Sequence, residues 1–301
     1  MAEHFAASPN WTWYILGYFF LGGVTGGTYA VATALRLWGA PEDERIARIG
    51  YLIAFPVLLV CPILLTLDLG KPLRFWHMLV SATPDAGGLM FKTVSPMSVG
   101  SWALVIYGIF AFLSFVEAFL GVTNRTVRVP RPWVLAFNCV GAVLGLFVAS
   151  YTGVLLSVSN QPIWSDSWTL GGLFLASGLT GSAALLAALA YHVRAVDTEG
   201  RLERADGLFA VLELAWIVFL IVEVGIAGAL SRLFQGGYPA LWALVAIGLI
   251  ASLLGLSRTR LADVGARGGA RLSYALGLAP AVVILAGVFA LRAAIIFTAQ
   301  V

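Results

Sequence analysis

The sequence predicts an all-α integral membrane protein with eight transmembrane helices. Sixty per cent of its 301 residues are hydrophobic and only 11% are charged, which is far from the composition of a soluble domain. Crossing a bilayer takes about 20 consecutive apolar residues, and eight uncharged or nearly uncharged runs approach or exceed that length. They lie at residues 13–35, 49–67, 99–116, 133–156, 168–191, 208–230, 239–257 and 272–291.

The distribution of arginine and lysine predicts the orientation of these spans. The links after spans one, three, five and seven carry thirteen Lys and Arg residues, whereas the links on the opposite side carry four. Because short cytoplasmic loops are enriched in basic residues, both chain termini are expected to lie outside the cytoplasm. The first span is expected to be retained rather than cleaved as a signal peptide, since only Glu3 and His4 are ionisable ahead of a long apolar run.

An internal repeat predicts two parallel four-helix halves. FLGGVTGGTYAVATAL at residues 20–35 resembles FLASGLTGSAALLAAL at residues 174–189, and LTLDLG in span two aligns with LIVEVG in span six, so Asp68 corresponds to Glu223. An even number of spans separates the copies, and they therefore cross the membrane in the same direction. The small residues of span one predict close packing against its neighbours. They are Gly22, Gly23, Gly26 and Gly27.

The first predicted half, residues 1–156, contains the longest connection of the chain, an outer loop at residues 70–97. The second half is residues 157–301. Long loops of this kind are more often site-forming or docking segments than spacers. Within the outer loop, PLRFWHML at residues 72–79 predicts a short helix that lies in the membrane interface.

The few cysteines and histidines predict that this chain carries neither haem nor an iron–sulfur cluster. Cys61 and Cys139 lie in separate spans, and the sequence has no CxxC motif. A membrane haem usually takes two histidines from facing helices, but His4, His77 and His192 all lie at or beyond the ends of spans. Any redox chemistry must then use a lipid-soluble carrier and the cofactors of a partner.

Four carboxylates fall within or at the edge of apolar spans. They are Asp68, Glu117, Glu213 and Glu223. Each such group costs about 3 kcal/mol even on lenient insertion scales, so each needs a partner, a water-filled cavity or a raised pKa. Asp68 and Glu223 are expected in the outer half of the membrane. Glu117 and Glu213 are expected near cytoplasmic helix ends, where snorkelling to the interface is the alternative to a proton path.

Four blocks of the sequence resemble, in the same order, blocks of the NrfD/PsrC family, the membrane subunits of polysulfide reductase-type complexes. They are LDLGKPLRFWHML (Leu67 to Leu79), SPMSVGSWALVIYG (Ser95 to Gly108), SYTGVLLSVSNQPIW (Ser150 to Trp164) and LFLASGLTGSAAL (Leu173 to Leu185). With the eight-span plan, the resemblance covers nearly the whole chain.

The resemblance implies a haem-free subunit of the cell inner (plasma) membrane that binds menaquinone or ubiquinone near the outer face. It also implies two partners. One is a periplasmic-side, four-cluster ferredoxin-like iron–sulfur subunit that exchanges electrons with the quinone. The other is a catalytic subunit, either a molybdopterin enzyme or a multihaem cytochrome.

In this family the quinone pocket lies near the outer ends of spans one, two and four, with polar side chains on span one and a tyrosine on span four. The resemblance therefore implies that Tyr151 is the span-four tyrosine and that the span-one positions fall among Tyr14 and Tyr18. Some relatives use an Asn and a His on span one, and this chain has neither in that helix. The alternative for Tyr14 and Tyr18 is the aromatic belt of the membrane interface.

The chemistry of a quinone suggests roles for the polar residues at this face. Its head needs hydrogen bonds to two carbonyl oxygens and a route for two protons, and its tail needs an apolar slot. Asp68 is expected to exchange the proton, with His77 as the outer relay. Lys71 and Arg74 are expected to hold negative charge at the ring or to dock an acidic partner. A structural ion pair of Asp68 with Lys71 or Arg74 is the alternative.

These features predict the quinone-reactive subunit of a quinol dehydrogenase or quinone reductase, inactive without its partners. Asp68, Glu117, Glu213 and Glu223 are candidates for a proton path that would make turnover electrogenic. A secondary transporter or ion-conducting protein is the alternative class, favoured by the repeat and the buried acids, although most such proteins have broken helices at mid-membrane. A purely structural anchor of a redox complex is a third interpretation.

Overall fold

The computed structural model of the chain describes residues 9–81, 88–123, 129–254 and 270–300, and for residues 270–276 it describes the backbone alone. The described part is helical and contains no strand. Its main helices are α1 (Trp13–Trp38), α2 (Glu44–Asp68), α3 (Pro96–Val122), α4 (Arg131–Ser157), α5 (Leu170–His192), α6 (Val196–Ile226), α7 (Tyr238–Leu253) and α8 (Ala270–Thr298). Two 3-10 helices, Pro41–Asp43 and Pro72–Met78, and a single turn, Leu230–Leu233, lie between them.

Seven of these helices are long and apolar enough to cross a membrane, and the all-helical class predicted from the sequence is confirmed. The remaining helix, α7, has 16 residues, or about 24 Å of helix, against about 30 Å of hydrocarbon in a bilayer. It occupies the predicted span 239–257, of which residues 255–257 lie outside the described ranges.

Helices α6 and α8 extend beyond the predicted spans. The predicted span six begins at residue 208, but α6 begins at Val196 and includes the charged stretch VDTEGRLERADG. The predicted span eight ends at residue 291, but α8 continues to Thr298. Hydropathy marks the apolar part of a helix and not its ends, because a helix that leaves the bilayer can continue in water with polar side chains.

Helices α1 and α5 form the centre of the bundle. Of the most apolar 18-residue segment of each helix, 83% is buried in α1 and 78% in α5, whereas only 28% is buried in α2, α3 and α6. The outer helices expose large apolar side chains, such as Ile109 and Phe112 on α3 and Phe219 on α6. An apolar outer surface of this extent is expected where helices face lipid.

The neighbours of each helix repeat between the first four helices and the last four. α1 packs against α2 and α4, and α3 packs against the same two helices. In the same way, α5 and α7 both pack against α6 and α8. The direct contact between α1 and α5 joins the two sets.

Glycines allow α1 to approach its neighbours closely. A methyl group at Gly26 would overlap the carbonyl oxygen of Gly145 on α4, and one at Gly27 would lie 2.7 Å from the carbonyl oxygen of Gly178 on α5. The close packing predicted for these two positions is therefore confirmed. Gly22 differs, because the nearest atoms to a methyl group there are 3.8 Å away, which is ordinary van der Waals contact.

The two ends of the bundle differ in their connections. We call the end that carries Asp68, Pro96 and Ser157 the long-loop face, because the longest connection lies there. We call the opposite end, which carries Trp38 and Arg131, the arginine face.

At the arginine face, the polar start of α6 is tied to the link between α1 and α2. The Thr198 hydroxyl donates to Asp43 Oδ1 at 2.6 Å, and the Arg201 guanidinium forms an ion pair with the same carboxylate. Asp43 is completely buried, so this link joins the two four-helix sets on the side opposite to the long loop.

We expect Gly26→Ala to destabilise the protein, because its methyl group would push the Gly145 backbone away and separate α1 from α4. Overpacking of this kind costs about 1–3 kcal/mol and should lower the melting temperature in detergent by several degrees. Gly22→Ala is the matched control on the same helix. It should leave the melting temperature unchanged or slightly raised, because alanine favours helix more than glycine. Equal losses at the two positions would contradict the close contact of α1 with α4.

Candidate functional site

At the long-loop face, a hydroxyl joins the start of α1 to the end of α2. Thr12 caps α1 by accepting a hydrogen bond from the Tyr14 N–H at 3.4 Å, and its own hydroxyl donates to Asp68 Oδ1 at 3.2 Å. Asp68 is half-buried. Within the described residues, no ion pair joins it to Lys71 or Arg74. The partner of Asp68 in this structure is thus a neutral hydroxyl rather than a cation.

The two tyrosines at the start of α1 have different surroundings. Tyr14 is 45% exposed on the outer surface of the bundle, where residues of an interfacial aromatic belt lie. Tyr18, one turn further along, is only 4% exposed. Only Tyr18 therefore presents its hydroxyl to the interior of the bundle.

Tyr18 lies between α2 and α4. Its hydroxyl is within electrostatic range of the Cys61 thiol on α2 and of Tyr151 on α4. A methyl group at the neighbouring Gly22 would lie 3.8 Å from both the Thr152 side chain and the Tyr18 ring, which is ordinary van der Waals contact. Among the described residues, the structure contains no hydrogen-bond partner for the Tyr18 hydroxyl. Buried tyrosine hydroxyls usually have such a partner.

Tyr151 is buried against the start of α3. Its hydroxyl donates to the Pro96 carbonyl oxygen, its ring lies where a side chain at Gly100 would be, and it stacks on Phe147 with ring centroids 5.8 Å apart. The hydroxyl is therefore already engaged as a donor. Its oxygen can still accept a hydrogen bond.

The residues of the outer loop lie at the surface of the long-loop face. The predicted short helix is a 3-10 helix, Pro72–Met78, beside the ends of α2 and α3. Lys71 and Arg74 are exposed and His77 is half-buried, with its ring edge-on to Trp76 at 3.9 Å. These three ionisable groups are available to solvent or to a partner, and no hydrogen bond in the described structure joins them to Tyr18 or Asp68.

Glu223 is held by hydroxyls at the start of α5. Ser167 and Thr169 both donate to its Oε2, at 2.8 and 2.9 Å. Its Oε1 is buried and has no hydrogen-bond partner among the described residues. Like Asp68, its counterpart in the repeat, Glu223 bonds to a hydroxyl next to the start of a central helix.

Glu117 belongs to an ion-pair cluster at the arginine face. Arg36 contacts Glu117 at 2.8 Å and Glu44 at 2.7 Å, and Arg48 contacts Glu44 at 2.8 Å. The cluster lines a cavity of about 420 Å³ together with Arg131 and neighbouring residues of α4. Glu117 therefore has a cation as its partner and does not reach the interface as an isolated carboxylate.

Glu213 lies inside the bundle. It is about 25 Å along α6 from Val196 at 1.5 Å per residue, but the first twelve residues of that helix are the charged stretch before the predicted span, so its position near the cytoplasmic end of the span stays a prediction. It is 2% exposed. Thr180 is a hydrogen-bond partner of its carboxyl group, and its Oε2 has no partner among the described residues.

Sequence reasoning missed the role of Arg292, because the predicted last span ends at residue 291, just before it. Because α8 continues to Thr298, Arg292 lies inside the bundle and is completely buried. Its guanidinium donates to the carbonyl oxygens of Phe19 (3.1 Å) and Phe174 (3.0 Å) and to the Ser177 hydroxyl (2.9 Å). It thereby joins α1, α5 and α8.

The space for this guanidinium is provided by Gly23, where a methyl group would overlap it. No carboxylate within the described residues lies at ion-pair distance, and Glu213 interacts with it electrostatically. The signal that was available is that Arg292 is the one charged residue in an otherwise apolar stretch, which inside a membrane indicates a function or a specific partner.

The described residues contain no group of three or more His, Cys, Asp or Glu side chains that could hold a metal ion. The polar side chains nearest to Tyr18 are instead the Tyr151 hydroxyl and the Cys61 thiol, which suit hydrogen bonding and proton exchange.

The family model described as polysulphide reductase, NrfD, matches residues 3–301 of this sequence. The chain belongs to the NrfD family. The resemblance seen in the four sequence blocks is thereby confirmed, and with its seven long apolar helices the NrfD-family chain is a multi-pass membrane protein.

Three relatives extend this comparison. The C component of the polysulfide reductase of Wolinella succinogenes is 28% identical, over 96% of this chain and 94% of its own length. Protein NrfD of Escherichia coli is 24% identical, over 84% of this chain and 86% of its own. The C component of the selenate reductase of Mesobacillus selenatarsenatis is 25% identical, over 59% of this chain and 47% of its own.

We expect Arg292→Lys to destabilise the protein, because lysine loses the planar set of donors that joins three helices. Hydrogen bonds of a charged group contribute about 1.5–3 kcal/mol each, so the loss should be visible as a lower melting temperature in detergent. Arg232→Lys is the matched control, since Arg232 is exposed at the long-loop face. Similar stability of the two variants would contradict the role of Arg292 in joining the helices.

Proposed function

We propose that this chain is the quinone-reactive membrane subunit of a respiratory oxidoreductase complex. It binds quinone or quinol near the long-loop face and exchanges electrons with a peripheral iron–sulfur subunit of the four-cluster ferredoxin type. A catalytic subunit, a molybdopterin enzyme or a multihaem cytochrome, completes the complex. Family membership and the names of the relatives, which include components of polysulfide and selenate reductases, support this assignment.

The observation that carries the proposal is the Tyr18 hydroxyl. The Tyr18 side chain is 4% exposed, its hydroxyl makes no hydrogen bond to a described residue, and it lies near the long-loop face beside Tyr151 and next to Gly22. A group of this kind is favourable only if a ligand or water satisfies it. A quinone carbonyl oxygen is an acceptor of the required chemistry, so the residues present fit the ligand.

The neighbouring residues have complementary roles in this proposal. Tyr18 donates to one carbonyl oxygen, and Tyr151 lies beside it on α4. Asp68 exchanges the proton at the rim, and the half-buried His77 relays it to the outer compartment. Tyr14 lies where the head enters from lipid. When bound, the quinone supplies two-electron chemistry that no side chain of the described protein provides.

The long-loop face is also the docking surface in this proposal. Lys71 and Arg74 are exposed on the outer loop, where they would attract an acidic partner and orient it. Electron transfer to a partner requires the quinone and the iron–sulfur cluster to lie on the same side, and the position of Tyr18 near this face meets that requirement.

The proposed topology has eight membrane crossings, with α7 as the seventh, and both termini outside the cytoplasm in the cell inner membrane. Residues 1–156 and 157–301 form its two parallel halves. The matching neighbours of α1 to α4 and of α5 to α8 support the division. The arginine face is then cytoplasmic, as the positive-inside rule requires.

Proton translocation is part of the same proposal, with Glu117, Glu213 and Glu223 as the candidate groups. The buried carboxylate oxygens of Glu213 and Glu223 without partners support such a role. Glu117 lies beside the cavity of the arginine face, where a proton could enter from water.

We expect Tyr18→Phe to weaken quinone use by the intact complex at least about fivefold, since the loss of one neutral hydrogen bond alone costs about 1 kcal/mol. Asp68→Asn keeps the bond to Thr12 but cannot exchange a proton, so it should slow turnover by at least about 100-fold. Both are measured as quinol oxidation or quinone reduction by the purified complex.

Tyr238→Phe is the control for both variants, because the Tyr238 hydroxyl also lies at the long-loop face and donates to the Phe297 carbonyl at 3.1 Å. Copurification of the partner subunits monitors assembly. Unchanged turnover in an assembled complex carrying Tyr18→Phe and Asp68→Asn would indicate a purely structural anchor and overturn the proposal.

We expect Glu213→Gln to lower the number of protons translocated per quinone turned over by the complex in sealed vesicles, because a glutamine cannot carry a proton. Glu117→Gln and Glu223→Gln test the other two groups in the same way. An unchanged ratio in all three variants would rule out a path through these carboxylates.

A further inference from the structure

A stripe of polar side chains runs along one face of α1. Its members are Tyr18, Thr25, Tyr29, Thr33 and Arg36. Their spacings of seven, four, four and three residues keep them on one face of a helix. The stripe covers about 27 Å along the helix axis, close to the thickness of the bilayer hydrocarbon of about 30 Å. We call it the α1 polar stripe.

Each hydroxyl in the middle of the α1 polar stripe is paired with a hydroxyl of another helix in the first half. The pairs are Thr33 with Tyr51 at 3.0 Å, Tyr29 with Ser114, and Thr25 with Tyr107 at 3.3 Å. All six side chains are at most 3% exposed. The rings of the three tyrosines also touch, with Tyr29 edge-on to Tyr51 at 4.9 Å and to Tyr107 at 5.7 Å.

At the arginine face, the stripe reaches the cavity lined by Glu117 and Glu44. Arg36 forms ion pairs with both carboxylates, and its guanidinium lies over the Tyr51 ring at 4.8 Å. The cavity of about 420 Å³ is large enough for several water molecules. This end of the stripe therefore meets water and titratable groups.

At the long-loop face, the stripe ends at Tyr18. The Cys61 thiol on α2 is within electrostatic range of both the Tyr107 and the Tyr18 hydroxyls. Because Tyr18 has no partner among the described residues, the stripe ends on a free donor.

Asn138 on α4 indicates that the middle of the stripe accommodates water. Its Oδ1 accepts a hydrogen bond from Ser114 at 2.8 Å, while its Nδ2 is completely buried and has no partner among the described residues. Buried water binds where polar groups of this kind are otherwise unsatisfied. The Asn138 amide, beside the Tyr29–Ser114 pair, thus has an N–H donor without a partner, and a water molecule bound there could extend the series of hydroxyl pairs.

We propose that the α1 polar stripe carries protons between the arginine face and the quinone site. The proposal rests on the proposed function, because it names the route by which the protons of that reaction travel. Tyr18 exchanges a proton at the site, and the Tyr107–Thr25, Tyr29–Ser114 and Tyr51–Thr33 pairs pass protons in series to Glu117. Hydroxyls suit this task because each can donate and accept at once, and water completes the steps between pairs.

In this proposal, electrons reach the quinone from the long-loop face, and the stripe connects it to protons at the arginine face. Reduction of one quinone takes up two electrons and two protons, and oxidation of one quinol releases the same. The electrons cross the long-loop face to or from the iron–sulfur partner. Asp68 and His77 exchange one proton on that same side, whereas the stripe carries the other proton from or to the arginine face. Turnover therefore moves charge across the membrane along the stripe, separately from the protons that Glu213 and Glu223 of the second half would carry.

The test uses the complete complex, reconstituted in one orientation in sealed vesicles, with a pH-sensitive dye in each compartment. Tyr107→Phe and Ser114→Ala each remove one α3 hydroxyl that is paired with the α1 polar stripe, and both keep the packing. Ser182→Ala is the matched control, because its hydroxyl is equally buried and donates to the Val24 carbonyl on α1 at 3.0 Å but lies outside the stripe. Melting temperatures of all three variants measure the structural loss.

We expect the turnover rate of the wild-type complex to depend on the pH of the compartment at the arginine face. We also expect protons to be released or taken up in that compartment. Tyr107→Phe and Ser114→Ala should slow turnover about tenfold or more, as the loss of a positioned proton-transfer group does, with melting temperatures like that of Ser182→Ala. They should also raise the solvent deuterium isotope effect, which a merely structural loss would not change.

Two other outcomes are informative. If quinone turns over but its protons appear only at the long-loop face, and both variants behave like Ser182→Ala, the stripe is not the route while the proposed function stands. If the complete wild-type complex neither oxidises quinol nor reduces quinone, the proposed function fails, and the stripe as a route for quinone protons fails with it.

Discussion

The interior of a bilayer offers no water to polar groups, so every polar side chain buried there must find a partner within the protein. The structure meets this constraint at the contact between α1 and α5. Gly27 and Gly178 bring the two backbones together, and Gly23 leaves room for the Arg292 guanidinium. With carbonyl oxygens of both helices as acceptors, a buried arginine becomes tolerable in the centre of the bundle. The close α1–α5 contact is thus a condition for the polar groups around it.

The two four-helix sets use buried polar groups differently. In the first, neutral hydroxyls of Tyr, Thr and Ser pair with one another along α1, and the charged residues stay near the two faces. In the second, charged side chains lie deeper, with Glu213 and Arg292 both almost fully buried. Neutral hydroxyl pairs cost less to bury than ions, and they can reorient without leaving an unpaired charge. Although α1 and α5 have equivalent neighbouring helices, the polar groups buried in the two sets are therefore of different kinds.

The helices and the family could be predicted from the sequence, whereas the positions of individual polar groups could not. Runs of apolar residues located the eight main helices of the described residues, but the predicted ends differ for α6, where charged residues such as Asp197 continue the helix, and for α8. The two further turns of α8 place Arg292 inside the bundle. The partners of Asp68 and Tyr151 depend on neighbours far apart in sequence, Thr12 and Pro96, and no local pattern reveals such pairings. The stripe on α1 was visible as a periodicity, but its meaning depends on which helices face it.

The difference between satisfied and unsatisfied hydroxyls bears on which tyrosine serves as a donor at the long-loop face. The Tyr151 hydroxyl already donates to the Pro96 carbonyl, and losing such a neutral hydrogen bond costs about 1 kcal/mol. A ligand that recruited Tyr151 as a donor would have to offset that loss. Tyr18 has no such bond to break, so any acceptor that reaches it gains the full hydrogen bond. In the proposed site, the α1 hydroxyl that is free for a ligand is therefore that of Tyr18, and Tyr151 is better suited to accept a hydrogen bond or to bound the pocket with its ring.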